Sequence, residues 1–146
     1  MKVVVAVIGG RARPEFEALA EMYLARMGAY AEVEAVAYRS EEAFSEAAER
    51  QRGRMVSVIV LLDGRGKQMS SEQLAAWLGR QRDEGQQRIV FAVGPADGWS
   101  DATRKKAGLL LSLGPMTLAH ELARVVLCEQ VYRAFTILAG HPYHRN

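Results

Sequence analysis

The chain ends on an unusual concentration of chemistry. After Gly140 it reads His141-Pro142-Tyr143-His144-Arg145-Asn146, and about two to three helical turns upstream stand Arg133 and Glu129. Histidine moves protons near neutral pH, so His144 and His141 are candidate acid–base groups. Tyr143 offers a phenol and a flat ring. Arg145 and Arg133 offer forked cations suited to phosphate or to a base oxygen. Chain ends are commonly frayed and chemically dull. A tail of this composition is instead equipped to touch a base, a phosphate or a cofactor. Glu129 and Arg133 also satisfy the spacing of a simple ion pair one helical turn apart. Both readings stand at this point.

A second concentration is glycine. Three loops, 63–69, 94–99 and 114–117, each contain it and each follow an apolar run. Glycine lets bare backbone approach a ligand closely. The first, Asp63-Gly64-Arg65-Gly66-Lys67-Gln68-Met69, resembles a phosphate loop but fails as one. Gln68 stands where a hydroxyl residue must follow the lysine, and Leu61 stands where the first glycine is required. It fails as a dinucleotide fingerprint because Met69 occupies the third glycine position. His141-x-x-His144 with Cys128 is a weak metal pattern, with no second ligand pair, and no metal is expected. No G-x-S-x-G elbow supports a serine hydrolase.

The elements that must position these groups alternate. Val3–Ile8 reads as a buried strand, and Pro14 opens a helix that runs to Gly28. Residues 31–38 alternate, with Glu32 and Glu34 on one face. Residues 41–52 form a polar helix. Met55–Leu62 is a fully apolar run expected to be a central parallel strand. Ser70-x-x-Gln73 is a capping box before the next helix. Residues 88–93 are a strand, Ser100 caps a short basic helix, and Leu109–Leu113 is a last strand. Thr117 is expected to cap a helix from about Leu118 to Ala139. The order predicts an α/β sheet, mostly parallel, with helices on both faces. Ligands bind such sheets beyond the carboxyl ends of the strands, where the three glycine loops lie. The last helix is apolar on more than one face, so it either threads the core or packs against another subunit, and a homodimer through it is the favoured expectation.

Size and charge set bounds. The 146 residues suit one domain, and no apolar run approaches the ~18 residues of a membrane span. The N-terminal run is too short for a signal peptide and reads as a strand. A single cysteine excludes an intrachain disulfide and suits a reducing cytoplasm. Net charge is +2, too little to hold RNA through phosphates alone. The charge is uneven, because residues 103–146 carry six Lys/Arg against two Glu. That third is a candidate phosphate-facing surface or a merely solubilising one.

These residues taken together resemble the RlmH (YbeA) family of ribosomal RNA large-subunit methyltransferases, in the SPOUT superfamily. The matching segments are Lys2–Ile8, Leu62-Asp63-x-x-Gly66-Lys67, Gly94-x-x-x-Gly98-x-Ser100 and Leu111-Ser112-Leu113. They continue with Met116-Thr117-Leu118-x-His120, Leu122-x-Arg124-Val125, Glu129-Gln130-x-Tyr132-Arg133-Ala134 and Gly140–Arg145. The resemblance covers essentially the whole chain. It implies one SPOUT domain over 1–146, with a trefoil-knotted cofactor-binding part from about 55 to 146. It implies S-adenosylmethionine as cofactor, a homodimer, and methylation of N3 of a pseudouridine in 23S rRNA on the assembled 70S ribosome. By position, Leu62, Gly94 and Leu113, Gly114, Pro115, Met116, Thr117 and Leu118 would hold the cofactor. His144, Glu129, Tyr143, Arg145 and Arg133 would act on the base, the tail reaching the cofactor site of the partner subunit. Pro95 departs from the usual second glycine and removes a backbone donor there. Ala119 departs from a common proline. Two other readings compete. One is a SPOUT enzyme with a different target, such as a tRNA ribose. The other is a ribosome-associated nucleotide-binding module without catalysis.

Overall fold

Residue parity along the strands divides the core in two. In β1 (Lys2–Ile8), Val3 and Val5 face one side, while Val4, Ala6 and Ile8 face the other. In β4 (Arg88–Val93), Ile89, Phe91 and Val93 join the first set, and Val90 and Ala92 the second. Strands buried on both faces read as continuous apolar runs, because neither side meets water. The computed structural model describes residues 1–10, 12–55 and 57–145.

The elements run β1, α1 (Pro14–Met27), β2 (Glu32–Tyr38), α2 (Glu41–Arg52), β3 (Ser57–Gln68), α3 (Ser71–Asp83), β4, α4 (Asp101–Lys105), β5 (Leu109–Ser112) and α5 (His120–Ala139). The five strands form one sheet in the order β2-β1-β4-β3-β5, with every pair parallel. Helices α1, α3 and α5 pack on the first face, with α5 against both of the others. Phe44 of α2 and Trp99 pack on the second. The α/β reading with helices on both faces therefore holds.

Local signals act as expected at several ends. Pro14 opens α1. Ser70 and Gln73 form the reciprocal capping box of α3, and Ser100 caps α4 by accepting from the Thr103 amide. Gly140 closes α5 at φ 70°, a left-handed position suited to glycine.

Three expectations need correction. The segment 63–69 is not a simple loop after β3. The strand continues to Gln68, with an irregularity between Leu62 and Lys67, and Lys67 and Gln68 pair with Leu111 and Ser112. Gly66 permits this, since a Cβ there would lie 2.6 Å from the Leu110 backbone. Thr117 does not cap α5, which starts at His120 with Ala119 as N-cap and no side-chain cap. The expected strand start at Met55 falls at Ser57, next to Val56, which lies outside the described residues. The apolar breadth of α5 is met within the chain itself: Val125, Leu127, Cys128, Val131, Ala134 and Phe135 are all buried between α1, α3 and the sheet.

Candidate active site

Two regions carry the candidate residues. The first is a cavity of about 750 Å³ beside the irregularity of β3 that follows Leu62 and beyond the carboxyl ends of β4 and β5. All eight residues expected to hold the cofactor line it: Leu62, Gly94 and the whole of Leu113–Leu118. The sheet explains the convergence. Adjacent parallel strands must release their chains at the same edge.

Its walls are mostly backbone. Gly114 stands at φ 129° and Gly98 at φ 89°, conformations that side-chained residues rarely adopt. Nothing lies within 4 Å of a Cβ placed at either. Ser112 Oγ braces the turn, accepting from the Gly114 amide and donating to its carbonyl. Among the described residues, Leu113 and Pro115–Leu118 make no main-chain hydrogen bonds elsewhere. Their carbonyls, and the amides of all but Pro115, are free to meet a ligand. Met116 is 84% exposed at the rim.

Gly94 is glycine for an added reason. A Cβ there would lie 2.6 Å from the Trp99 ring. Trp99 is buried against Phe44, and its indole N–H donates to the Leu62 carbonyl at 2.9 Å. Its ring packs the loop. It ties the end of β3 to the loop after β4. Asp63, nearly buried, accepts from the Arg65 amide and pairs with Arg104 at 2.8 Å, anchoring α4 to the same edge.

The second region is the tail. Tyr143 donates to Glu129 Oε2 at 2.7 Å, and Arg133 grips the same carboxylate through Nη2 at 2.7 Å and Nε at 3.2 Å. The ion pair allowed by spacing is therefore formed. Arg133 Nη1 lies 3.1 Å from His144 Nδ1. A guanidinium only donates, so Nδ1 accepts and the imidazole proton sits on Nε2. Nε2 then donates to Glu72 Oε1 at 2.7 Å. Arg133 also lies over the Tyr143 ring at 4.8 Å. Arg145 is exposed, and His141 Nδ1 accepts from the Tyr143 amide.

The electrostatics follow from these contacts. Burial first, and then the bond to Glu129, raise the Tyr143 pKa well above the usual phenol range, so it stays protonated. The bonds that Arg133 donates to Glu129 raise its own pKa further, against some desolvation. The bond to His144 lowers the Glu72 carboxyl.

The structure brings four of the five expected tail residues into one network and leaves Arg145 outside it. None of the five lines the glycine cavity. At ~1.5 Å per residue, Glu129 and Arg133 stand about 13 and 20 Å along α5 from His120 at the cavity. Glu72 was not foreseen. It sits in the first turn of α3, 72 residues before its partner, and only the packing of α3 on α5 makes them neighbours. His120 lines the cavity, and its Nε2 is buried with no hydrogen-bond partner among the described residues.

A parallel sheet with a backbone-built cavity over three adjoining strand ends is a known nucleotide-cofactor architecture. The family model "Predicted SPOUT methyltransferase" matches residues 1–144, and the chain belongs to that family. A Koribacter versatilis protein named ribosomal RNA large subunit methyltransferase H is 50% identical over 144 residues, 99% of this chain and 98% of its own length. A Brucella ovis protein of the same name is 50% identical over 90 residues, 62% of this chain and about half (53%) of the relative. The SpoU methyltransferase AviRb from Streptomyces viridochromogenes, solved with AdoMet, superposes with a TM-score of 0.51 at 14% identity. That match covers 97% of this chain and 58% of AviRb. The putative methyltransferase Lpg2936 from Legionella pneumophila, solved with SAM, gives 0.50 at 12%, covering 94% and 66%. These two likenesses speak for the fold. The family resemblance carried by the motifs is thereby borne out.

Proposed function

We propose that this protein transfers a methyl group from S-adenosylmethionine to large-subunit ribosomal RNA, at N3 of a pseudouridine on the assembled 70S ribosome. The observation that carries the reading is the 50% identity, across 99% of the chain, to a protein named for large-subunit rRNA methylation. The glycine cavity supports the cofactor. Its volume, its free main-chain donors and acceptors, and the space left open at Gly98 and Gly114 suit a bent, polar, adenine-bearing ligand. Leu62, Gly94 and Leu113–Leu118 would hold it. The single SPOUT domain, its knotted part from about residue 55, and a cytoplasmic site of action belong to the same proposal. Among the described residues, no helix is long and apolar enough to cross a membrane.

S-adenosylmethionine, when bound, supplies a methyl group on a sulfonium. The remaining tasks fall to side chains. N3 carries an imide proton that must leave, the base must be held in line, and charge grows on its oxygens. His144 or Glu129 accepts the proton. His144 is the simpler acceptor because its one lone pair has one occupant, Arg133 Nη1, whereas Glu129 holds three neighbours. An RNA phosphate that draws Arg133 away frees Nδ1. Tyr143 is a donor, because its phenol is held protonated. Arg145, exposed beside it, meets phosphate or base oxygen.

The tail of one subunit serves the cavity of another. The separation along α5 supports this, since the network stands well away from its own cavity. A homodimer through α5 is the arrangement proposed. Leu122 remains exposed on that helix, and Leu19 and Met22 on α1, which packs against it.

The test is transfer of labelled methyl to intact 70S ribosomes with nucleoside analysis. Label in N3-methylpseudouridine is expected. Label in another nucleoside rejects the substrate. Cofactor binding without any transfer rejects the reaction.

A further inference from the structure

The glycine cavity has a neighbour that the proposed chemistry does not use. A second cavity of about 790 Å³ lies beyond the ends of β1, β2 and β4. The two share one wall, the segment Pro95–Trp99 together with His120. Its other side is formed by Gly9 and Gly10 after β1 and by Arg39–Glu42 after β2. Gly9 is held at φ 119°, and the His120 ring lies 3.8 Å from where its Cβ would be.

The polar groups around this cavity fall into two sorts. Glu41 and Ser40 are committed. Glu41 accepts from the Ser100 amide and from the Ser100 and Thr103 hydroxyls, and Ser40 caps α2. Arg39, Glu42, Asp97 and His120 Nε2 have no hydrogen-bond or ion-pair partner among the described residues, and Nε2 is buried. A buried polar atom without a partner calls for one. Two carboxylates beside a single arginine exclude a ligand that is mostly phosphate. They suit the N–H-bearing edge of a nucleobase, with Arg39 at the rim for one phosphate.

We infer that this second cavity seats an unstacked nucleotide of the RNA substrate, next in the strand to the one that is methylated. The inference rests on the RNA-methyltransferase reading above. A single strand crossing the Pro95–Trp99 wall places successive nucleotides over the two cavities. A base inside a duplex cannot reach a donor buried in a loop pocket, so the target strand must be opened there. The cavity would hold it open. His120 is then a positioning residue, facing the donor on one side and the neighbouring base on the other.

Gly10 provides the test. Gly10 lines the cavity, and apart from its chain neighbours no described protein atom lies within 4 Å of a Cβ at that position, so a large side chain is accommodated there. Gly10→Trp is expected to lower kcat/KM for ribosome methylation by about tenfold or more, the scale of one lost base contact. S-adenosylmethionine affinity by calorimetry and the melting temperature should stay as in the wild type. Arg39→Glu, an exposed change that cannot empty the core, is expected to raise KM for ribosomes severalfold with kcat retained. Wild-type methylation kinetics in both variants would overturn the inference while leaving the proposed function intact. A wild-type protein that methylates no RNA would overturn both. A loss of cofactor affinity in Gly10→Trp equal to the loss in kcat/KM would assign the cavity to the cofactor instead.

Discussion

The glycine cavity and the tail network are built on opposite principles. The cavity uses main chain, with positive-φ glycines, a proline and free amides, and its one aromatic, Trp99, is spent on holding the loops together. The tail uses side chains almost alone, with Glu129, Arg133, Tyr143, His144 and Glu72 saturating one another. A main-chain site is fixed by the fold and is damaged by added atoms. A side-chain site is fixed by its own hydrogen bonds and is damaged by removed ones. The first suits a cofactor that must always bind the same way. The second suits groups that must let go of each other when substrate arrives.

This contrast sets the expected rank of perturbations. Gly66→Ala should be the most damaging, because the new Cβ meets the Leu110 backbone at 2.6 Å, main chain and not the far end of a flexible side chain. A loss of about 3 kcal/mol in denaturant unfolding is expected. Gly94→Ala presses on the Trp99 ring instead. About 2 kcal/mol is expected, with weaker cofactor binding as Trp99 releases Leu62. Wild-type stability of Gly66→Ala would break the account of the β3–β5 approach, and wild-type stability of Gly94→Ala the account of the cavity.

The tail should respond in kinetics rather than in stability. His144→Ala is expected to lower turnover by about a hundredfold or more while melting and cofactor affinity hold. Retained turnover removes it as proton acceptor. Tyr143→Phe keeps the ring and loses the bond to Glu129. A smaller drop of about tenfold in kcat is expected, again at unchanged cofactor affinity.

The smallest effect concerns pH. The Glu72 pKa is lowered in the folded protein, chiefly by His144. Its contribution to stability is therefore present above the ordinary carboxylate value and is lost as pH falls through the lower folded value. Glu72→Gln should lower neutral melting slightly and flatten the acid limb of melting temperature against pH, so that the two proteins converge at low pH. An identical acid limb would show that the contact with the tail carries no stability.

The two regions also differ in how far they could be read from sequence. The cavity was legible because strand ends in a parallel sheet must converge, and each loop advertised its glycine. Residues 62, 94 and 113–118 line one cavity, the convergence that the sheet and the family motifs lead one to expect. The glycines of 63–69 misled in one respect. They look like a turn, yet Gly66 serves a close strand crossing that no local pattern reports. Thr117 looked like a cap because a hydroxyl stood just before an apolar run, while the start of α5 was decided by tertiary packing. The tail was legible in composition but not in wiring. Nothing between residues 72 and 144 signals that α3 would deliver a carboxylate to His144. Likewise, nothing in the spacing of α5 says that its network stands a helix length from the cavity of its own chain.

The claim that the two regions meet across a dimer is tested most directly by mixing subunits. One variant carries Gly94→Ala, with its cavity impaired. The other carries His144→Ala, with its tail impaired. The account predicts that each is nearly inactive alone. After exchange of subunits, methylation of ribosomes should recover to about a quarter of the wild-type rate, from mixed dimers holding one intact pairing of cavity and tail. A mixture no more active than its parts, with mixed dimers shown to form, would contradict it and confine each tail to its own chain.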